Sequence, residues 1–371
     1  MLEFFEIIIA LLILILTTTF TCHLLGVKDT NYKYASLEGL RGLAAALVAI
    51  FHLYWRAGGS SDRYWSIDYL ASSELRRAIL LIGELPVGAF FMLSGFLFFR
   101  KALTDNYFNI KDFFISRILR IYPAVIASLA IIYCATAVMN SGIFTTPLSW
   151  VITALPFIRE YQGSLVNTFP INITNSGVLW TLVWEIRLYL CIPFLYILMR
   201  FTPYKKMVVI IAMIGVIILD KTRMIESSIA GYLMYFLAGF LVAATKDIEI
   251  KRNNIICILL LIIAIIFTRK AYSSTTALYI LPVFWLLKNR ADFFGLLVSK
   301  PFRMLGTCSF SIYLIHGITQ AVSKHYLFSY HHYLWAIASL FLTGVCAPVL
   351  YLYVEQRFMY RSKHRLMLLK Q

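Results

Sequence analysis

Three titratable side chains stand inside apolar stretches of the chain: His52, Glu185 and His316. At bilayer depth such groups are costly and are functional candidates by default. His52 lies about 12 residues, or ~18 Å of helix, from one end of its segment, and His316 about as far into its own. Glu185 enters from the opposite end by about 7 residues, which places it near the same height in a core about 30 Å thick. Three non-adjacent segments thus carry two imidazoles and a carboxylate to one level. That set suits general-base work on a hydroxyl: a neutral imidazole takes the proton, and a carboxylate fixes its tautomer and stabilises the imidazolium. The plainer alternative is that each is a buried polar group hydrogen-bonded across helices.

A different chemistry gathers at one end of the same segments. Arg41 precedes His52 by 11 residues, about 16 Å along a helix. Arg117 and Arg120 are three apart and share a helix face. Guanidinium forks bind phosphate oxygens bidentately, although arginines here could equally be ordinary anchors at a membrane face. Taken with the imidazoles they suggest a phosphate-rich donor held at one face with its reactive end reaching up to a histidine. An extended pantetheine arm has a comparable length.

The elements that must position these groups follow from composition. Of 371 residues, 60% are hydrophobic and 14% charged, against about 25% charged in a soluble domain. Eleven segments approach the ~20 apolar residues that a crossing needs: 5–25, 38–56, 79–99, 122–140, 177–200, 207–220, 229–246, 253–268, 273–288, 304–323 and 333–354. Lipid leaves no partner for open backbone, so all eleven are expected to be helices. The fold class is therefore an all-α, polytopic transmembrane bundle of about 11 spans forming one domain.

Orientation follows from the basic residues. With the C-terminus inside, 23 of the 34 Lys and Arg fall on cytoplasmic segments and 10 on outer ones, as the positive-inside rule requires. The net charge of +16 then reads as attraction to lipid headgroups rather than to nucleic acid. Residues 7–17 could be a signal-peptide core, but Glu3 and Glu6 precede them with no Lys or Arg, so a permanent helix with an outer N-terminus is expected. The six cysteines lie in apolar stretches without CxxC spacing, and neither a zinc site nor a disulfide framework is expected. The longest outer loop, 141–176, could touch a substrate or simply cap helix ends.

Five runs then resemble, in order, the motifs of the acyltransferase family 3 membrane proteins. Leu37-Glu38-Gly39-Leu40-Arg41-Gly42 followed by Phe51-His52 resembles the family's Arg-x10-His signature. Phe90 to Phe96 (FFMLSGF), Arg117-Ile-Leu-Arg120-Ile-Tyr-Pro123, Leu179 to Glu185 with Tyr189, and Ser309 to His316 are similar to its later motifs. The resemblance implies a bacterial inner-membrane O-acyltransferase acting on surface carbohydrate such as O-antigen. It implies acetyl-CoA as donor, a glycan or lipid-linked glycan as acceptor, and no metal. It carries an essential role onto His52, donor handling onto Arg41, Arg117 and Arg120, and motif positions onto Glu185, Tyr313 and His316. Ser94 and Gly95 would allow close helix approach, with Ser94 also a candidate donor contact.

Three departures stand out. The family has ten spans, so 5–25 is an extra N-terminal helix ahead of a core at 37–355 and a basic tail at 356–371. Arg357 stands where members often have Pro, which weakens a role for Glu355. Unlike some members, the chain is expected to carry no soluble domain after the membrane part. A transporter or flippase relaying protons through the buried His and Glu is the alternative, but the paired helix interruptions it would need are not evident in the sequence.

Overall fold

The computed structural model describes residues 2–29, 33–57, 65–70, 72–104, 108–139, 164–166, 169–170, 174–328 and 333–360. Most of the outer loop 141–176, and the tail from residue 361, lie outside the described residues. Among the described residues twelve α-helices follow in chain order: α1 (Leu2–Leu24), α2 (Ala35–Ala57), α3 (Ser73–Thr104), α4 (Ile110–Met139), α5 (Trp180–Phe201), α6 (Lys205–Lys221), α7 (Ser227–Ala243), α8 (Asn253–Phe267), α9 (Ser274–Lys288), α10 (Lys300–Thr307), α11 (Ser309–Leu327) and α12 (Leu334–Leu350). Among the described residues the bundle is all-helical apart from one small antiparallel pair, β1 (Ser164–Val166) and β2 (Phe169–Pro170).

Among the described residues six helical stretches are long and apolar enough to cross a membrane: Phe5–Leu24, Ala35–Ala57, Ser73–Thr104, Ile110–Met139, Trp180–Phe201 and Leu334–Tyr360. Shorter apolar helices (α7, α8 and α9) stand among them. Large apolar side chains are exposed along these helices, among them Phe20, Phe194, Ile211 and Ile266. Water would not tolerate so broad an apolar surface on a monomer, and the chain is a multi-pass membrane protein. Its interior is closely filled by residues such as Phe96, Tyr235, Phe284 and Ile132, all essentially buried.

One predicted span is divided. The segment 304–323 was expected as a single helix, but the backbone leaves helical geometry at Cys308 (φ −91°, ψ 4°). The result is a short, amphipathic α10 followed by α11. Glycines then set the spacing. A Cβ on Gly42 of α2 would lie 2.5 Å from the backbone nitrogen of Gly306 in α10, and one on Gly306 would lie 2.2 Å from the Glu38 carbonyl. The two backbones therefore touch, as small residues permit in membrane bundles. Gly95 makes the same kind of approach, between α3 and the Phe236 backbone of α7.

The chain ends of several helices share a basic face. There Asp247 accepts from Tyr34, pairs with Lys288 at 2.7 Å, and lies within 4.0 Å of Lys33 and Arg100. Asp29 pairs with Arg303 at the same face, joining the segment after α1 to α10.

Candidate active site

Arg41 and His52 both belong to α2, at its second and fifth turns. The helix thus spans the distance between the basic face and the bundle interior. On the basic side a cavity of about 340 Å³ opens between α2, α3, α4, α5 and α11. Its wall includes Arg41, Ser94, Arg117, Arg120, Glu185 and Tyr313. This volume falls within the range of small-molecule sites.

The three guanidinium groups are held differently. Arg41 pairs with Glu38 one turn earlier at 3.0 Å. Arg120 pairs with Glu355 at 2.9 Å, and Ser311 donates to the other oxygen of that carboxylate at 3.0 Å. Glu355 is fully buried. It reaches Arg120 from a π-type turn over Tyr351–Glu355 that continues α12, the kind of helix irregularity often found at functional sites. The Arg357 departure thus does not keep Glu355 from pairing with Arg120. Arg117 instead stacks on aromatic rings, 5.1 Å from the centre of Phe98 and 6.0 Å from those of Phe113 and Tyr189. Among the described residues no carboxylate lies within ion-pair distance of Arg117. Its charge is the least compensated in the cavity.

Glu185 accepts a hydrogen bond from Tyr189, one turn along α5. The carboxylate that sequence spacing set level with the imidazoles is thus a cavity-wall group with a phenol as its partner. The two histidines do meet: Nδ1 of His52 lies 2.9 Å from Nε2 of His316, and the rings lie nearly parallel, 17° apart, with centres at 5.1 Å. His316 is fully buried in α11. Its Nδ1 lies 3.1 Å from the Ile312 carbonyl.

These contacts assign the tautomers. A carbonyl only accepts, so Nδ1 of His316 carries the proton and its Nε2 presents a lone pair. His52 must then donate from Nδ1, which leaves its own Nε2 as an unprotonated lone pair. His52 is thus oriented by another imidazole together with the Val48 backbone one turn earlier, where sequence reasoning expected a carboxylate. The His52 ring is also stacked on Trp65 at 5.5 Å. Gln320 fastens α11 to α2 through the Ala49 carbonyl at 2.8 Å.

Tyr313 links cavity and histidines. Its hydroxyl donates to the Val178 carbonyl at 3.0 Å and shares a 2.8 Å hydrogen bond with Thr181. Its ring lies 6.1 Å from that of His316. The imidazole pair therefore sits directly beyond the cavity's Tyr313 wall, with the arginines toward the basic face. Sequence reasoning passed over Glu38 and Glu355 as arginine partners. It also passed over Glu84, a carboxylate within the predicted span 79–99, although an acid in an apolar run is itself a signal. Cys22 and Cys308, read as isolated apolar fillers, have their sulfurs 3.6 Å apart in the core.

Neither histidine lines the cavity itself; an apolar bundle with a cation-walled cavity and an imidazole pair behind its Tyr313 wall fits a membrane-embedded group-transfer protein. Residues 34–353 match the acyltransferase domain family, acyltransferase 3, and the chain belongs to that family. Helix α1 precedes the matched region.

Several relatives share parts of the sequence. Nodulation protein 10 of Rhizobium leguminosarum bv. viciae is 30% identical over 192 residues, 47% of this chain and 48% of that protein. A Komagataeibacter xylinus protein named "Putative membrane-bound transacylase BcsY" is 26% identical over 187 residues, 46% of this chain and 39% of its own. A Staphylococcus aureus (strain COL) protein named "Putative O-acetyltransferase" is 26% identical over 188 residues, 48% of this chain and 28% of its own. The matches span less than half the length of each of these relatives. No solved structure matches the chain.

Proposed function

We propose that the chain is an O-acetyltransferase that takes acetyl from acetyl-CoA at the cytoplasmic face of a bacterial inner membrane and delivers it to a sugar hydroxyl of a surface glycan such as O-antigen. In this reading the chain crosses the membrane eleven times, N-terminus outside and C-terminus inside, and α10 with α11 counts as one crossing. The reading draws on the family, on the relatives' names, and on the charge bias of the loops. One observation carries it above the rest: the lone pair at Nε2 of His52, fixed by His316, stands beyond a cavity that holds three arginines at its basic end.

The chemistry is as follows. CoA phosphates lie against Arg117, Arg41 and Arg120, with the pantetheine arm along the cavity past Ser94. His52 Nε2 takes the proton from the sugar hydroxyl as its oxygen forms a bond to the thioester carbonyl carbon. The C–S bond breaks, and the CoA thiolate leaves and recovers the proton from His52. Atoms balance as an acetyl ester plus CoA thiol. Two neutral imidazoles in line give the transient charge on His52 an immediate acceptor at His316 Nε2, with the Ile312 carbonyl behind it.

The test is the alkali-releasable acetate on surface glycan from cells with the chain, without it, and with His52→Ala. The wild type should add acetate, and His52→Ala should add none while remaining in the membrane fraction at normal abundance. Full acetylation by His52→Ala would end this reading.

A further inference from the structure

The mechanism leaves one cavity of the basic face unused. A pocket of about 330 Å³ lies between the start of α2, the end of α9 and the segment leading to α10. Lys33, Ser36, Lys288, Arg290, Asp292 and Val298 line it, and it shares no wall residue with the arginine cavity. Its volume suits a small ligand or a headgroup.

The charges around it are unevenly committed. Lys33 and Arg290 reach Asp247 and Glu249 only at 3.8 Å, and all four side chains are more than half exposed. Such pairs hold a charge loosely. Lys288 forms a fixed back wall, buried and held by Asp247 and by the Thr245 and Lys246 carbonyls. Asp292 turns one oxygen to Asn254 and to the Gly295 N–H, both at 3.0 Å, so it is engaged with its own segment.

Ser36 is the residue that packing leaves unexplained. It is 6% exposed and lines the cavity, yet among the described residues its hydroxyl makes no hydrogen bond. It stands in the first turn of α2, whose first backbone hydrogen bonds run from Leu37 and Glu38 to the Tyr34 carbonyl. The N–H groups of Ala35 and Ser36 therefore precede any intrahelical partner. A helix start, a hydroxyl and two loosely held cations around one cavity are complementary to a phosphate.

The surroundings of the cavity indicate which phosphate. The segment that supplies Asp292 and Val298 also presents Phe294 and Leu296, 71% and 46% exposed. Apolar side chains beside a basic pocket at helix ends belong where headgroups meet acyl chains. A soluble phosphate has no use for them. A phospholipid lays its chains along them.

We infer that this cavity binds the phosphate of an anionic phospholipid, seated against Lys33, Arg290 and Ser36 with its acyl chains along Phe294 and Leu296. Ser36 lies two residues ahead of Glu38, the partner of Arg41. A seated headgroup thus steadies the start of the helix that carries Arg41 and His52. The site stands whether or not the chain transfers acyl groups.

The test uses the full-length protein in detergent, with binding of phosphatidylglycerol and of phosphatidylcholine read by native mass spectrometry. Wild type should prefer phosphatidylglycerol. The double variant Lys33→Gln/Arg290→Gln should bind it roughly 30-fold more weakly, the effect of two basic contacts to an anionic headgroup. Ser36→Ala should weaken it about tenfold. Lys205→Gln/Lys206→Gln, at the start of α6, removes two charges elsewhere and should stay within about twofold of wild type. Equal affinity for the two lipids in wild type, or wild-type affinity for phosphatidylglycerol in the Lys33/Arg290 variant, overturns the site. An equal loss in the Lys205/Lys206 variant overturns it too, because diffuse charge would then be the cause. Displacement of bound phosphatidylglycerol by inorganic phosphate or by CoA would assign the cavity to a soluble phosphate and overturn the lipid. Should Ser36→Ala fail to fold, the exposed Lys33/Arg290 pair decides alone.

Discussion

His316 holds His52 in a single tautomer: its Nε2 accepts from Nδ1 of His52 at 2.9 Å while its own Nδ1 is tied to the Ile312 carbonyl. On the acyl-transfer reading proposed above, His316 positions His52, and its loss should be felt in turnover. His316→Ala is expected to lower kcat about 100-fold, the scale of misplaced general-base catalysis, with the KM for acetyl-CoA changed less than threefold. His316→Gln keeps an acceptor near Nδ1 of His52 and should recover part of the loss. Equal kcat in the Ala and Gln variants would remove the tautomer argument.

The cavity arginines are expected to separate by function. Arg117 faces rings rather than a carboxylate, so its charge is the most available to a phosphate. A charge-assisted hydrogen bond contributes about 1.5–3 kcal/mol, so Arg117→Ala should raise the KM for acetyl-CoA roughly 10- to 100-fold with a smaller effect on kcat. Isothermal binding of acetyl-CoA to the purified variant checks this directly.

Arg120 carries a structural duty as well. Removing it leaves Glu355 buried without its counter-charge, and breaking a buried pair in this way costs about 3–5 kcal/mol. Arg120→Ala should therefore lower thermal stability sharply. Adding Glu355→Gln should restore most of the stability, because a neutral amide can still accept from Ser311. Acetyl-CoA affinity should stay low in the double variant. Failure of the second substitution to raise Tm would mean that Arg120 and Glu355 do not act as a pair.

The sequence made some of this legible and concealed the rest for physical reasons. Arg41 and His52 share one uninterrupted helix, so their separation could be read from residue count alone. The helices themselves were marked by long apolar runs. Partners across helices were not. Nothing in α2 announces that His52 will meet His316 rather than Glu185, because a few degrees of helix rotation decide it and apolar runs carry little phase. Glu355 was hidden by the π-type turn that advances its register. The break at Cys308 had neither Gly nor Pro at the break itself to mark it. Glu84 was visible as an acid in an apolar span.

The α2–α10 contact is a further point of fragility. A methyl group on Gly42 would meet the Gly306 nitrogen, the Leu305 side chain and the Phe302 carbonyl, all within 2.6 Å. Backbone cannot give way as a flexible side chain can, and overpacking of this kind costs about 1–3 kcal/mol. Gly42→Ala should lower Tm and also weaken acetyl-CoA binding, since Glu38 and Arg41 lie on the displaced helix. A variant that keeps both properties would show that α10 slides freely along α2.

Acidity should loosen the basic face through Asp247. The Lys288 ammonium hydrogen-bonded to it holds the Asp247 carboxyl below its ordinary value of 3.8, aided by Arg100 and Lys33. A carboxyl depressed by folding stabilises the folded state at pH above its unfolded value, and that contribution disappears as pH falls through the folded one. Lys288 is buried, its other donors satisfied by the Thr245 and Lys246 carbonyls, so protonated Asp247 leaves it with a weakened set of partners. Asp247→Asn should therefore lower Tm at pH 7, and the gap from wild type should narrow steadily below about pH 4. Thermal unfolding of both proteins in the same detergent at pH 7, 5 and 3 measures it. A gap that stays constant across that range would show that the carboxylate's charge plays no part in joining α9 to the segment after α7.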